Sequence, residues 1–402
     1  MRILLVHNRY IQRGGEDAVY DAERSLLRER GHEITEFIKD NRDIDPHGQL
    51  ALAANTVWSR QSRRELLETI DRNDPEVMHV HNTLPIISPS AYYAAAKLGI
   101  PVVQTLHNYR PLCLPGLMSR NGNVCEDCRR SRFYGPGIRH GCYRNDRLAS
   151  AALAAAFTYH RLIGTWANRV DRFIALTEFA RGKFIEGGLP ANRIVVKSNF
   201  VFEGKHDQNQ TVGRNRNGAL FVGRLSREKG VLTLVEAFRC LSVHLKIIGD
   251  GPLMDTLRIR APINTQFVGE KASEDVLRAM DNASYLVMPS ESYEGFALVL
   301  VEAFSRGLPV IASKLGAMSE IVENGVTGIH FTPNDAVDLA SKIRWAEAHP
   351  EEMLQMGINA RREYEKKYTP DANYLQLLGI YEDVVSKYQT IRTRRYRLKD
   401  AV

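Results

Sequence analysis

The sequence predicts an α/β protein made of two doubly wound halves that face each other across a cleft. Three observations carry this. The chain has 402 residues, more than a single hydrophobic core ordinarily serves. Short runs that are apolar almost throughout, such as RILLVH (2–7), ALFVGR (219–224) and SYLVMPS (284–290), recur in both halves. Such runs read as strands buried on both faces of a parallel sheet, and helix-length segments separate them. Finally, VFEGKHDQNQTVGRNRNG (201–218) is polar and aperiodic. The expected division is a first domain over 1–200, a linker over 201–217, a second domain over 218–370 and a tail over 371–402.

Composition narrows the class. A 44% hydrophobic, 25% charged chain is an ordinary globular sequence, not a disordered one. The apolar start MRILLVHNRY is too short for a signal peptide, and no run of about eighteen apolar residues occurs, so a cytoplasmic protein is expected. The net charge of +7 and pI near 9.1 suit nucleic acid, an anionic membrane or a phosphorylated substrate. The arginines are not interleaved with aromatic side chains as a base-stacking platform requires, which argues against nucleic acid.

In the first half, the strand at 2–7 leads into NRYIQRGGEDA, where Gly14 and Gly15 directly precede a helix over 16–30 closed by Gly31. Glycines there let backbone approach a ligand closely, although a Gly-Gly turn also serves plain tight packing. A second strand follows at 32–38. Asp43 and Asp45 then make a D-x-D, discounted as a metal motif because it lies in a polar loop away from the other motifs. Strands at 76–81 and 100–107, joined by a helix over 88–98, each end in His-Asn: His81 with Asn82, and His107 with Asn108. Ligands gather at the carboxyl ends of such strands. One long helix is expected over 147–170, then strands at 172–177 and 193–198.

The second half restarts at 219–224 with a strand ending in Gly223 and Arg224, followed by LSREKG and a helix from Val231. Arg224 and Lys229 are cations placed to neutralise a diphosphate. LKIIGDGP (245–252) follows as a strand plus turn, and QFVGE (266–270), carrying Gly269, as a strand. The stretch PSESYEGFALVLVEAFSRGLPVIAS (289–313) sets a polar loop and a helix between two buried strands. The helix is expected to begin near Gly295 and Phe296. Glu294 then stands at its N-terminus, an anion-binding end, and Glu302, eight residues on, falls on roughly the same face. Glu302 is an acid embedded in an apolar helix, so it needs a partner, and sugar hydroxyls would supply one. A last strand lies at 326–331, and an amphipathic tail helix begins at Pro370 and ends in a basic run over 392–399.

The segment EGFALVLVEA, with seven residues between Glu294 and Glu302, resembles the E-x7-E signature of retaining glycosyltransferases of family 4. GRLSREKG, TLHN and the glycine loop resemble other motifs of that family. The likeness covers essentially the whole chain outside a cysteine-bearing insertion at 108–146. It implies the GT-B fold, two Rossmann-like domains across a cleft, and transfer of a sugar from a UDP- or GDP-sugar with retention. It further implies that Glu302 holds the ribose hydroxyls, that Arg224 and Lys229 hold the diphosphate, and that Glu294 with the N–H groups of Phe296 and Ala297 holds the sugar and phosphate. Gly14 and Gly15 would lie near the donor diphosphate, and Gly223 and Gly269 beside the nucleotide. His107 would touch the transferred sugar. No cofactor is required for chemistry. The implied acceptor is a glycan or polyprenyl-diphosphate-linked glycan of bacterial surface polysaccharide synthesis. Another GT-B enzyme, an epimerase or phosphorylase, and a non-enzymatic zinc or nucleic-acid module are the alternatives.

Two features lie beyond the motifs. Cys113, Cys125, Cys128 and Cys142 crowd a segment too poor in apolar residues to order itself, and a structural four-thiolate zinc site is the economical reading. Buried thiols or two disulfides are the competing readings. Arg120, Arg129, Arg130, Arg132, Arg139, Arg144 and Arg147 occupy the same region, as an anionic membrane surface would want of a peripheral protein.

Overall fold

Twelve strands among the described residues build two sheets, each six-stranded and parallel throughout. The computed structural model describes residues 1–45, 48–129, 131, 133–204 and 216–399. The first sheet comprises β1 (Arg2–Arg9), β2 (Glu33–Asp40), β3 (Val77–Val80) and β4 (Val102–Leu106). After a two-stranded hairpin, β5 (Ser119–Arg120) and β6 (Asn123–Val124), it is completed by β7 (Arg172–Ala175) and β8 (Ile194–Val196). The spatial order is β2-β1-β3-β4-β7-β8. The second sheet contains β9 (Ala219–Val222), β10 (Leu245–Ile248), β11 (Thr265–Gly269), β12 (Tyr285–Met288), β13 (Val310–Ser313) and β14 (Gly328–Phe331), in the order β11-β10-β9-β12-β13-β14. In both, the order reverses beside the first strand: between β1 and β3, and between β9 and β12. Open parallel sheets bind ligands at such reversals, outside the strands' carboxyl ends.

The chain forms two compact units. Met1–Gly116, Glu126–Lys197 and the chain from Asn373 onward make one; Leu117–Cys125 and Ser198–Ala372 make the other. The linker expected over 201–217 falls mostly on 205–215, outside the described residues.

Alternation explains the continuous apolar runs. In β12, Tyr285 and Val287 pack into one core with Phe221 and Ile247, while Leu286 and Met288 pack into another with Leu220 and Val310. Both faces are covered, so every position is apolar. In the first unit, Ile3, Leu5, Val77 and Val103 of the sheet pack with Leu377, Tyr381 and Val384 from the helix Pro370–Lys399. Burying each such side chain contributes about 1.5–3 kcal/mol, so the tail helix is part of that core.

Two helices differ from expectation. The one expected over 147–170 is two, Arg147–Leu162 and Thr165–Arg169, because Gly164 adopts φ +68° between them, a conformation that ends a helix. The helix expected from Gly295 begins at Leu298, with Ala297 as its N-cap. Glu294 therefore lies in the preceding loop, and the argument that it shares a helix face with Glu302 fails. The discounted D-x-D follows β2 at the close of the 3-10 turn Asn41–Asp43, and β2 is the sheet's edge, outside the β1/β3 reversal.

Candidate functional site

The second unit concentrates predicted residues at its β9/β12 reversal. After β9 the chain turns through Gly223, Arg224 and a short 3-10 turn, Arg227–Lys229, then enters the helix Val231–Phe238 at Gly230. Gly230 has φ +67°, and a Cβ there would meet the Pro289 carbonyl oxygen at 1.8 Å, so no other residue fits. The same approach lets the Glu291 N–H donate to the Glu228 carbonyl at 2.9 Å. Two loops are thereby sewn together, and Lys229 meets Glu294: Nζ lies 2.8 Å from Oε1, with the Ser290 hydroxyl donating to the same oxygen at 2.7 Å. Their side chains are 26% and 14% exposed, a partly desolvated ion pair open to solvent on one side. Arg224, five residues before Lys229, is exposed.

Glu302 sits within the helix Leu298–Ser305, and burial raises its carboxyl pKa above the usual range. Among the described residues, no hydrogen bond or ion pair engages that carboxylate. A half-buried acid without a partner is costly to keep, which is how ligand-binding groups present themselves. Phe296 and Ala297 occupy the turn between Glu294 and this helix. Gly223 is pressed against Gly249, whose Cβ would lie 1.9 Å from the Gly223 carbonyl oxygen, and Gly269 ends β11 at φ +75°. Sequence reasoning passed over Ser290 and Glu291. Glu291 is nearly buried, accepts from the Thr233 hydroxyl at 2.6 Å and anchors the loop bearing Glu294. The P-S-E-S run before Glu294 was the available signal.

In the first unit the loops after β1, β3 and β4 meet. The Asn82 amide donates at 2.8 Å to the carbonyl of Asn8, at the end of β1, tying the loop after β3 to that strand end. His81 and His107, one residue beyond β3 and β4, touch through Nδ1 and Nε2 at 2.9 Å. Burial, reinforced by neighbouring histidines and by Lys197, holds both rings' pKa values well below the ordinary imidazole value, so both are neutral at physiological pH. His107 lines a small cavity with Glu16, Asn108 and Arg110. Gly14 caps the helix Gly15–Glu29; its N–H donates to Asp17 at 3.0 Å, and Asp17 in turn contacts His7 at 2.8 Å. Glu16 accepts from Tyr10 at 2.9 Å and from the Asn108 amide at 3.1 Å. Neither Glu16 nor Asp17 was singled out in sequence, because two acids opening a helix ordinarily serve the dipole.

Of the four cysteines, Cys113, Cys128 and Cys142 belong to the first unit, and Cys125 to the β5–β6 hairpin segment grouped with the second. Burial, with Cys128 and Cys113 nearby, pushes the Tyr134 hydroxyl up to about 12. A Cβ at Gly137 would stand 3.2 Å from Cys128 Sγ, and the Cys142 N–H donates to the Gly137 carbonyl at 2.9 Å. No disulfide joins the described cysteines. Among the described residues, the ligand-type trio within 4.8 Å of one another is Glu23, His79 and His81, without a cysteine. Arg130 and Arg132 lie outside the described residues, as do the side chains of the basic run 392–399. Arg129 is paired with both Glu126 and Glu186, so its charge is engaged within the protein. No helix among the described residues is long and apolar enough to cross a membrane.

Comparison with known proteins bears on the family and the fold. Residues 13–202 match the model of the family described as Glycosyltransferase Family 4, and residues 203–363 that of Glycosyl transferases group 1. Between them the two models take in both units. Each half of the chain thus matches a glycosyltransferase family model, the first that of family 4. The chain is 33% identical over 317 residues to the sulfoquinovosyl transferase SQD2 of Arabidopsis thaliana, covering 75% of this chain and 56% of that one. To an uncharacterised glycosyltransferase of Methanocaldococcus jannaschii it is 29% identical over 218 residues, 53% of this chain and 60% of the other. The chain thus spans less than two thirds of these relatives' lengths. The crystal structure of Anabaena HepE in complex with UDP superposes with TM-score 0.64 at 19% identity, covering 95% of this chain and all of that one, a likeness of fold.

Proposed function

We propose that the chain transfers a sugar from a nucleoside-diphosphate sugar to a hydroxyl of a glycan or lipid-linked glycan, with retention at the anomeric carbon. The observation that carries this reading is the unpartnered, half-buried carboxylate of Glu302 on the helix that follows the loop bearing the Lys229–Glu294 pair, after β12 at the β9/β12 reversal. Glu302 accepts hydrogen bonds from the ribose hydroxyls. Arg224 and Lys229 neutralise the diphosphate, with the N–H groups of Phe296 and Ala297 completing the cradle and Gly14, Gly15, Gly223 and Gly269 allowing close backbone approach. Glu294 orients the sugar, and His107 accepts one of its hydroxyls. The bond from anomeric carbon to phosphate oxygen breaks, a bond to the acceptor oxygen forms on the same face, and the departing phosphate takes the acceptor's proton. The positive charge comes from Arg224 and Lys229, so no metal is needed for this step. HepE and its UDP complex, a relative in fold, make uridine a sensible first base to try.

Two further parts of the reading concern the insertion. Cys113, Cys125, Cys128 and Cys142 bind a structural zinc, a reading supported by Cys128 lying against Gly137 and by the Cys142 N–H bonded to the Gly137 carbonyl. The arginines Arg120, Arg139, Arg144 and Arg147 hold the protein peripherally on an anionic membrane bearing a polyprenyl-diphosphate-linked acceptor of surface polysaccharide synthesis. Sedimentation with anionic vesicles at low salt should exceed that with neutral vesicles; equal pelleting removes the membrane role.

The test of donor binding is a panel of UDP- and GDP-sugars scored by melting temperature. A ligand at about a hundred times its Kd adds about 2.7 kcal/mol, so the true donor should stand out. No stabilisation by any member would overturn the reading.

A further inference from the structure

Beneath His107 lies a fully buried polar chain that the transfer reaction as described does not use. His81 Nε2 faces Glu23 Oε2 at 3.5 Å, and neither atom has a hydrogen-bond partner elsewhere or a closer ion-pair contact than this one. The other oxygen of Glu23 accepts from Lys197 Nζ at 2.6 Å, and Lys197 donates onward to Asn373 Oδ1 at 3.2 Å. Glu23 and Lys197 are both 0% exposed. Two charges removed this completely from water cost several kcal/mol each to desolvate and ordinarily repay it only in part, so stability alone is a weak reason to keep them.

Glu23, His79 and His81 lie close enough together to suggest a metal site. The chemistry argues otherwise. Lys197 already supplies the cation that Glu23 requires, and both nitrogens of His79 are engaged, Nδ1 with the Tyr381 hydroxyl at 2.7 Å and Nε2 with the Thr105 hydroxyl at 2.8 Å.

Proton accounting gives the cluster a different use. Glu23 is ion-paired with Lys197, and a paired carboxylate only accepts, so His81 carries its proton on Nε2 to face it. Because His81 is neutral, its Nδ1 is then a lone pair, and the contact at 2.9 Å requires His107 to donate from Nε2. His107, neutral too, is left with Nδ1 as an acceptor. We propose that Glu23, acting through His81, is a positioning residue that fixes the tautomer of His107, so that His107 Nδ1 accepts a hydroxyl of the transferred sugar. This rests on the role of His107 given above. It also explains why Lys197 and Asn373 are buried here, since Lys197 is the ion-pair partner of Glu23 and Asn373, from the tail helix, holds Lys197.

Nitrogen-15 NMR of the histidine-labelled full chain tests the proposal, with His81→Asn and His107→Asn variants assigning the signals. In the wild type, both rings should be protonated on Nε2 and not on Nδ1. Glu23→Gln combined with Lys197→Met leaves no lone charge buried; it should convert His107 to a mixed or reversed tautomer and lower turnover about tenfold or more, as a wrong tautomer does elsewhere. In a His107→Ala background the same pair should change turnover less than twofold, whereas a merely structural role would cost as much there as in the wild type. Nδ1-protonated His107 in the wild type, which is decisive even if the pair variant fails to fold, or an unchanged tautomer in that variant, overturns the proposal. A tautomer shift accompanied by wild-type turnover of His107→Ala overturns the sugar contact alone and upholds the hold of Glu23 on the ring.

Discussion

Lys229 Nζ and Glu294 Oε1 stand 2.8 Å apart although 65 residues separate them, because Gly230 lets the loop after β9 pack against the Pro289 carbonyl of the loop after β12. The pair is a preformed arrangement of charge whose cation suits a diphosphate and whose anion suits sugar hydroxyls. Lys229→Ala and Glu294→Ala should each lower kcat/KM by roughly two to three orders of magnitude. Because each holds the other, the double variant should lose far less than the product of the two single losses. Fully multiplicative losses would show that the ion pair does not organise the site.

Glu302→Gln separates stability from binding. Burial raises the Glu302 pKa in the folded state, so the folded protein holds its proton more tightly than the unfolded chain. Stability is then highest below the ordinary carboxylate pKa and falls as pH rises through the folded value. The neutral glutamine should therefore raise the melting temperature of the ligand-free protein at pH 7, lose that advantage near pH 4, and still weaken nucleotide-sugar binding. Unchanged donor affinity would remove the ribose role.

The two halves of the E-x7-E pattern were unequally legible. Glu302 could be read as an acid in need of a partner because its neighbours are Val301 and Ala303 on an otherwise apolar helix. The place of Glu294 could not, since its position depends on Lys229 and Ser290, contacts that no local propensity encodes. The strands were readable for a physical reason: parallel strands covered on both faces are apolar at every position, as Tyr285–Met288 shows. Glu23 and Lys197 were invisible. A glutamate on an amphipathic helix and a lysine after an edge strand look solvated until the fold brings together residues 174 positions apart.

Acid should destabilise the first unit. Burial drives the His79 pKa down to about 4, and His81 and His107 are depressed as well. The unfolded chain therefore binds more protons between the ordinary imidazole value and pH 4. Stability present above about pH 6.5 is lost as pH falls through that window, by up to about 1.4 kcal/mol per pH unit for each histidine. Denaturant titrations at several pH values should show this slope, and His79→Gln should make it shallower. A flat profile between pH 6.5 and 4 would contradict the buried neutral rings.

Metal analysis of protein purified without a histidine tag should find about one zinc per chain. Cys125→Ser should lose that metal and impair transfer while leaving nucleotide binding intact. Full activity in metal-free native protein would refute the site.

Turnover of the donor identified by melting, followed by NMR in the presence of a glycan acceptor, tests the central claim most directly. The account predicts release of one nucleoside diphosphate per glycosidic bond formed, with the first product carrying the same anomeric configuration as the donor. An inverted product, or no nucleoside diphosphate released from any UDP- or GDP-sugar, would contradict it.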